Sequence, residues 1–140
     1  MTEPLPANVR AFVEAQPVGI LATTRPDGSI RQSLVYHVLD GDRIEISTLG
    51  SRAKARDVAR IGRASYCVPA HERPFASVTL EGPARIVTEG AGAITTALFG
   101  KIFGTPPDPP LTDEAVAAMD RVILELTVAR AYGASYLPED

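Results

Sequence analysis

Three short β-leaning runs follow one another with only Asp-Gly turns between them, and this pattern limits the possible folds more than any other feature of the 140 residues. The run "VGILATT" (18–24) is apolar, and "RPDGS" after it is a tight-turn signal. In "IRQSLVYHVL" (30–39), Ser33, Val35, His37 and Leu39 share one face, and Leu34, Tyr36 and Val38 the other. "DGD" supplies the second turn, and "RIEIST" then sets Ile44, Ile46 and Thr48 against Arg43, Glu45 and Ser47. Three consecutive runs of this kind predict an antiparallel meander.

Helical signals flank these runs. Val9, Phe12 and Val13 have helical spacing, Asn8 is placed to cap them, and Pro17 ends them. Ser51 is placed as the N-cap of a helix over 52–60. "RASYCVP" reads as a strand and "HERP", with His71, as a loop. "FASVTLEG" and "ARIVTEG" read as two strands parted near Gly82-Pro83. Residues 91–103 read as a helix, followed by a stiff proline-rich loop too short to link domains. Thr112 caps a further helix without a full capping box, because Ala115 stands where Glu would complete it. "RVILELTVARAYGASY" predicts a last strand bent at Gly133. The order predicts one domain over residues 1–140, mainly β with flanking helices, its antiparallel sheet closed into a small barrel. There is no alternating βαβ pattern, GxGxxG or Walker motif.

Composition narrows the function classes. A chain with 45% hydrophobic and 22% charged residues and a net charge of -3 reads as an ordinary globule. Its mild acidity argues against nucleic-acid binding. Cys67 is the only cysteine, which fits a reducing compartment, and its apolar context predicts a small buried side chain. Two histidines and one cysteine, widely spaced, give no metal-ligand pattern. The N-terminal residues show no apolar signal region, and no run reaches the ~20 apolar residues of a membrane span. The expected location is the cytoplasm, without membrane contact.

Against this background one cluster stands out. Arg52, Lys54, Arg56, Arg60 and Arg63 fall within twelve residues opposed only by Asp57, a local charge of +4. Basic residues in a helix's first turn oppose its dipole, so Arg52 and Lys54 sit against local stability. A phosphate there would gain the free helix amides, the Ser51 hydroxyl and the cationic side chains. Arg52, Arg56 and Arg60 follow i, i+4, i+8 spacing, and for Arg56 and Arg60 a solvated helix face is the simpler account. The cluster alone fits a sulfate, a nucleotide or a neighbouring subunit's carboxylates equally.

Order and spacing add what the cluster lacks. The "LAT…DG" hairpin, the "S-x-V-x-H" second strand, "DGDRIEIST" and "RAKARDVARIGRAS" together resemble the split β-barrel flavin-binding family related to pyridoxamine 5'-phosphate oxidase. The resemblance covers about residues 10–90, returns at "ARAYGASY" and is poor over 91–120. The "R-A-K-x-R" element with "R-A-S" is most similar to the branch using a deazaflavin, coenzyme F-420, with FMN the alternative. The resemblance implies a homodimer with cofactor clefts at the subunit interface and a small-molecule substrate. It implies that Arg52 and Lys54 hold the cofactor phosphate, with Ser51 and Ala53 contributing backbone contacts. It further places Ser47 and Thr48 at the site, Ser33, Leu34 and Val35 along the ring, and Tyr132 and Gly133 near the same cleft. The chain ends "ASYLPED" where the true oxidases carry an Arg-rich substrate segment, which argues against vitamin B6 oxidation. Phe75 is the nearest match to an aromatic position of the branch, and His37 a candidate proton donor, although a strand histidine is more often structural. Tyr36 and Tyr66 read as core residues. No nucleophile-base constellation is visible, so the implied reaction is hydride transfer to a conjugated molecule, with a cofactor-binding module lacking turnover as the rival.

Overall fold

The computed structural model describes residues 5–70, 72, 75–134 and 137. The expectation for His71 lies outside the described residues. The first helix, α1, is Ala7–Ala15. Strands β1 (Val18–Thr24), β2 (Ile30–Tyr36), β3 (Val38–Asp40) and β4 (Arg43–Leu49) follow, then helix α2 (Ala53–Ile61). After it come β5 (Arg63–Pro69), β6 (Ser77–Val87), helices α3 (Ala91–Phe103) and α4 (Asp113–Ala118), and strands β7 (Arg121–Thr127) and β8 (Arg130–Tyr132). All pairings are antiparallel, in the spatial order β2-β1-β5-β6-β7-β4-β3, with β8 added on β6.

That order corrects the predicted meander. β2 and β3 are the two ends of the sheet, yet only His37 separates them in the chain. The sheet must therefore curl until its ends meet, which makes it a split barrel rather than a flat ribbon. The side chain of His37 explains why the run breaks there. It is fully buried, with Nδ1 2.6 Å from the Tyr66 hydroxyl and Nε2 2.8 Å from the Val13 carbonyl. A carbonyl only accepts, so Nε2 carries the proton and Nδ1 accepts from Tyr66. Lys101 of α3 donates to the His37 carbonyl at 2.8 Å, taking an acceptor that a continuous strand would use in its ladder.

Other departures have local causes. β6 does not break at Gly82-Pro83 but exchanges partners there, pairing with β5 up to Pro83 and with β7 from Ala84. A Cβ on Gly82 would lie 2.0 Å from the Thr127 carbonyl, so glycine lets the strands cross closely at this corner. The last run breaks first at Val128-Ala129, where the Val128 N–H donates to the Asp42 carbonyl and the Ala129 N–H to that of Glu81, and then ends at Gly133, whose φ is 85°. Pro6, not Asn8, is the N-cap of α1; the Asn8 carboxamide oxygen accepts from the Val9 N–H. Cys67 is half-buried, and Tyr36 is exposed while Tyr66 is not.

Leu21, Ile44, Ile46, Val78, Leu80 and Leu126 fill the barrel. Burial of each such side chain contributes about 1.5–3 kcal/mol. Ile123 points the other way, into a second cluster with Ala91 and Val116, so α3 and α4 cover the outer face of β4 and β7. Asp113 closes that excursion by accepting from the N–H groups of Gly90 (3.0 Å) and Gly92 (2.8 Å). Thr112 caps α4 as predicted, accepting from the Ala115 N–H at 3.1 Å.

A buried carboxylate fixes α2 to the barrel. Asp57 accepts from Thr23 Oγ1 of β1 (2.9 Å), Arg31 Nε of β2 (2.8 Å) and Arg60 (3.2 Å). Burial pushes its pKa up, but these donors outweigh it and hold the carboxyl below its ordinary range. Arg60 is exposed, as a solvated face predicts, and it also ties helix to sheet by donating to the Thr24 carbonyl. Asp57→Ala leaves two guanidinium groups without their acceptor. The expected loss is about 3 kcal/mol, near the low end for breaking a buried pair because Arg31 and Arg60 keep access to water. Chemical denaturation of the variant checks this.

Burial first, and repulsion from Lys101 next, lower the pKa of His37 to about 4, against the support of the Val13 carbonyl. The unfolded chain, with histidine near 6.5, therefore binds the extra proton first. Stability from this group is intact above pH ~6.5 and falls as pH drops towards 4, by up to about 3 kcal/mol. Urea unfolding at pH 7.5, 6 and 4.5 should show this loss, and a His37→Gln variant should lose much of the dependence in that window.

Candidate functional site

The end of β4, the start of α2, the outer edge of β2 and one face of α3 enclose a cleft of about 300 Å³. Its position follows from local chain geometry. Gly50 and Ser51 leave β4 pinned to Asp120, whose carbonyl accepts from Gly50 N–H (2.7 Å) and whose carboxylate accepts from Ser51 N–H (3.1 Å). Ser51 is therefore not the predicted N-cap. Arg52 holds that place in extended conformation, without a side-chain cap bond. With no capping oxygen over them, the first amides of α2, those of Ala53 and Lys54, keep the open donor capacity of a helix N-terminus.

Arg52 is exposed and Lys54 half-buried, and among the described residues neither has an ion-pair partner. Partial burial, then repulsion from Arg52 and Arg31, lowers the Lys54 pKa. Both effects would be relieved by an anion. The far wall is Leu98, Phe99 and Ile102 of α3, with Arg121 from the start of β7. Arg121 lies with its guanidinium carbon 5.3 Å from the Phe99 ring centre and donates to Ser47 Oγ at 3.4 Å. Ser47 Oγ is also 3.0 Å from Thr95 Oγ1 of α3. Among the described residues, no carboxylate lines this cleft. A larger cleft of about 540 Å³ lies beyond the C-terminus of α2, but its Arg130 is already paired with Glu81 and none of the predicted site residues lines it.

Of the residues singled out in the sequence, Leu34, Val35, Ser47, Thr48, Arg52 and Lys54 line the one cleft. Ser33 precedes Leu34 on β2, and Ser51 and Ala53 flank Arg52, without lining it. Tyr132 lies elsewhere in the same chain: it is on β8 opposite Thr79, its hydroxyl 3.4 Å from Glu81. Gly133 follows it with a φ of 85°. His37 does not reach the cleft, since both ring nitrogens are engaged inside the barrel. Phe75 is exposed and absent from the lining. Leu98, Phe99, Ile102 and Arg121 were not found by sequence reasoning. Nothing in "AGAITTALFGKIF" marks the face that turns to the cleft, and Arg121 is simply the first residue of a strand.

No helix among the described residues is long and apolar enough to cross a membrane. No curated protein matches the chain. Among solved structures, an F420 reductase is similar at 24% identity and a TM-score of 0.75, over 92% of this chain and 99% of that one. A conserved hypothetical protein from Mycobacterium tuberculosis is similar at 23% identity and a TM-score of 0.76, over 91% and 82%. A FAD and haem binding protein from Mycobacterium smegmatis shares 18% identity with a TM-score of 0.72, over 97% and 74%. At these identities the likeness speaks for the fold. The family profile for pyridoxamine 5'-phosphate oxidase matches residues 5–134, nearly the whole split barrel and its helices, and the chain belongs to that family.

Proposed function

We propose that the protein is a cytoplasmic, homodimeric oxidoreductase that binds a deazaflavin of the coenzyme F-420 type in this cleft and serves hydride transfer to a conjugated small molecule. One observation carries the reading: Arg52 and Lys54, without acidic partners, stand at an uncapped helix N-terminus directly beside a strand edge that presents apolar side chains. The residues present fit a group with a flat ring and an anionic tail. Arg52 offers a planar fork to phosphate oxygens and Lys54 a mobile ammonium, with the amides of Ala53 and Lys54 between them. The exposed Leu34 side chain gives the ring an apolar floor along the β2 backbone at Val35, and Ser33, Ser47, Thr48 and Ser51 supply polar contacts at its margins. The chemistry such a group brings when bound is two-electron hydride transfer; the chain's part is to grip, orient and keep water away.

The homodimer is supported by the open edge of the sheet. β2 is a terminal strand, and Ile30, Leu34 and Tyr36 on it are 57%, 67% and 42% exposed. An apolar edge of that kind needs cover. A second copy seated on it would give Tyr132 a route to the other chain's cleft, where its own fold does not take it. Sedimentation at micromolar concentration should give a dimer.

FMN also ends in a phosphate, and the likeness to a FAD and haem binding protein supports it as the second reading. Loading the purified protein with each cofactor separates the two: tight binding of FMN alone would reject the deazaflavin. Changing Arg52 and Lys54 together to Ala should weaken cofactor binding by roughly 3–6 kcal/mol, each charge-assisted contact being worth about 1.5–3. Arg56→Ala, on the exposed side of α2 and outside the cleft, should change it less than about twofold, in line with a surface substitution. A fluorescence titration reads both. Equal losses at all three positions would indicate diffuse attraction instead of a phosphate pocket.

A further inference from the structure

We propose that Arg121 is the residue with which the cleft recognises a carboxylate on its small-molecule substrate, so that the substrate is a conjugated molecule carrying an acid group. The inference rests on the reading above and adds the substrate's chemical class.

Arg121 is opposite Leu49 in the β4–β7 register, but its side chain runs back along β4 to Ser47, two residues farther from α2. It therefore serves the α3 end of the cleft, while Arg52 and Lys54 serve the helix end. Its guanidinium is placed over Phe99 by a cation–π contact, and its one hydrogen bond is the long 3.4 Å contact from Nη1 to Ser47 Oγ, which leaves most of the fork's donor capacity for a ligand. Among the described residues it has no acidic partner. The neighbouring Asp120 carboxylate is turned to the Ser51 N–H. A half-buried guanidinium against Leu98, Phe99 and Ile102 gives up hydration that only a partner restores. A carboxylate matches the fork with two parallel bonds. The apolar wall around it suits the flat frame to which that acid would be attached.

The test is calorimetric titration of the cofactor-loaded protein with trans-cinnamic acid and its methyl ester. Wild type should bind the acid more tightly than the ester. Arg121→Gln should weaken the acid about 10–100-fold, the equivalent of one bidentate charged contact, and leave the ester unchanged. Arg121→Lys should keep part of the preference, which a purely structural stack on Phe99 would not require, and gives a second folded variant. The proposal is overturned if wild type shows no preference for the acid, or if acid and ester weaken alike. It is also overturned if Arg121→Gln weakens F-420 binding but not FMN binding, because F-420 carries carboxylates beyond its phosphate and FMN does not. Should wild type bind neither cofactor, the preceding reading fails, and the same acid–ester pair titrated into unloaded protein still decides the role of Arg121.

Discussion

A single buried imidazole anchors the residue at which the two ends of the sheet join. His37 sits between the first strand and the last in spatial order, and its ring reaches inward to Tyr66 of β5 and the backbone of α1. Both ring nitrogens are satisfied, and among the described residues no buried side-chain polar atom lacks a partner. Were this residue solvated, the run would have no reason to turn, and β2 could continue beside β4 as a ribbon. The cleft depends on this closure. Its floor comes from β2 and its rim from β4, strands that are not hydrogen-bonded neighbours and meet only because the sheet curls.

A second constraint sets where the cations stand. α2 leaves the barrel at its N-terminal end, where Arg52 and Lys54 project, and is held to it further along by Asp57. The acid that looked like a lone counter-charge in a basic stretch is thus the anchor of the helix. It takes Arg60 and Arg31 as its partners and leaves Arg52 and Lys54 with no acidic partner among the described residues. Charge in this segment is divided by pairing with Asp57, not by burial: Arg60 is exposed and paired, Lys54 half-buried and without an acidic partner among the described residues.

Much of this was legible in the residues. Alternation in "RIEIST", the Asp-Gly turns and the Thr112 cap report local rules, and the structure follows them. The breaks it adds at His37 and Val128-Ala129, and the continuity through Gly82-Pro83, are tertiary: each is decided by a partner far off in sequence, such as Tyr66, Asp42 or Thr127. The site divides in the same way. Residues clustered in sequence, from Ser47 to Lys54, were readable. The α3 wall and Arg121 were not, because their role arises from packing between segments more than twenty residues apart.

That wall has a hydrophobic nucleus of its own. Ala91, Val116 and Ile123 pack apart from the barrel interior, and Asp113 latches the excursion shut across its base. Changes within that nucleus can therefore proceed without disturbing the apolar core of the barrel, whereas Lys101 and Thr95, which bond from α3 to His37 and Ser47, tie the excursion to it. The scaffold separates a barrel half, which carries Arg52 and Lys54, from a helical half, which carries the apolar wall of the cleft. Reshaping that wall then needs changes only between β6 and β7, in a segment on the order of one helical hairpin.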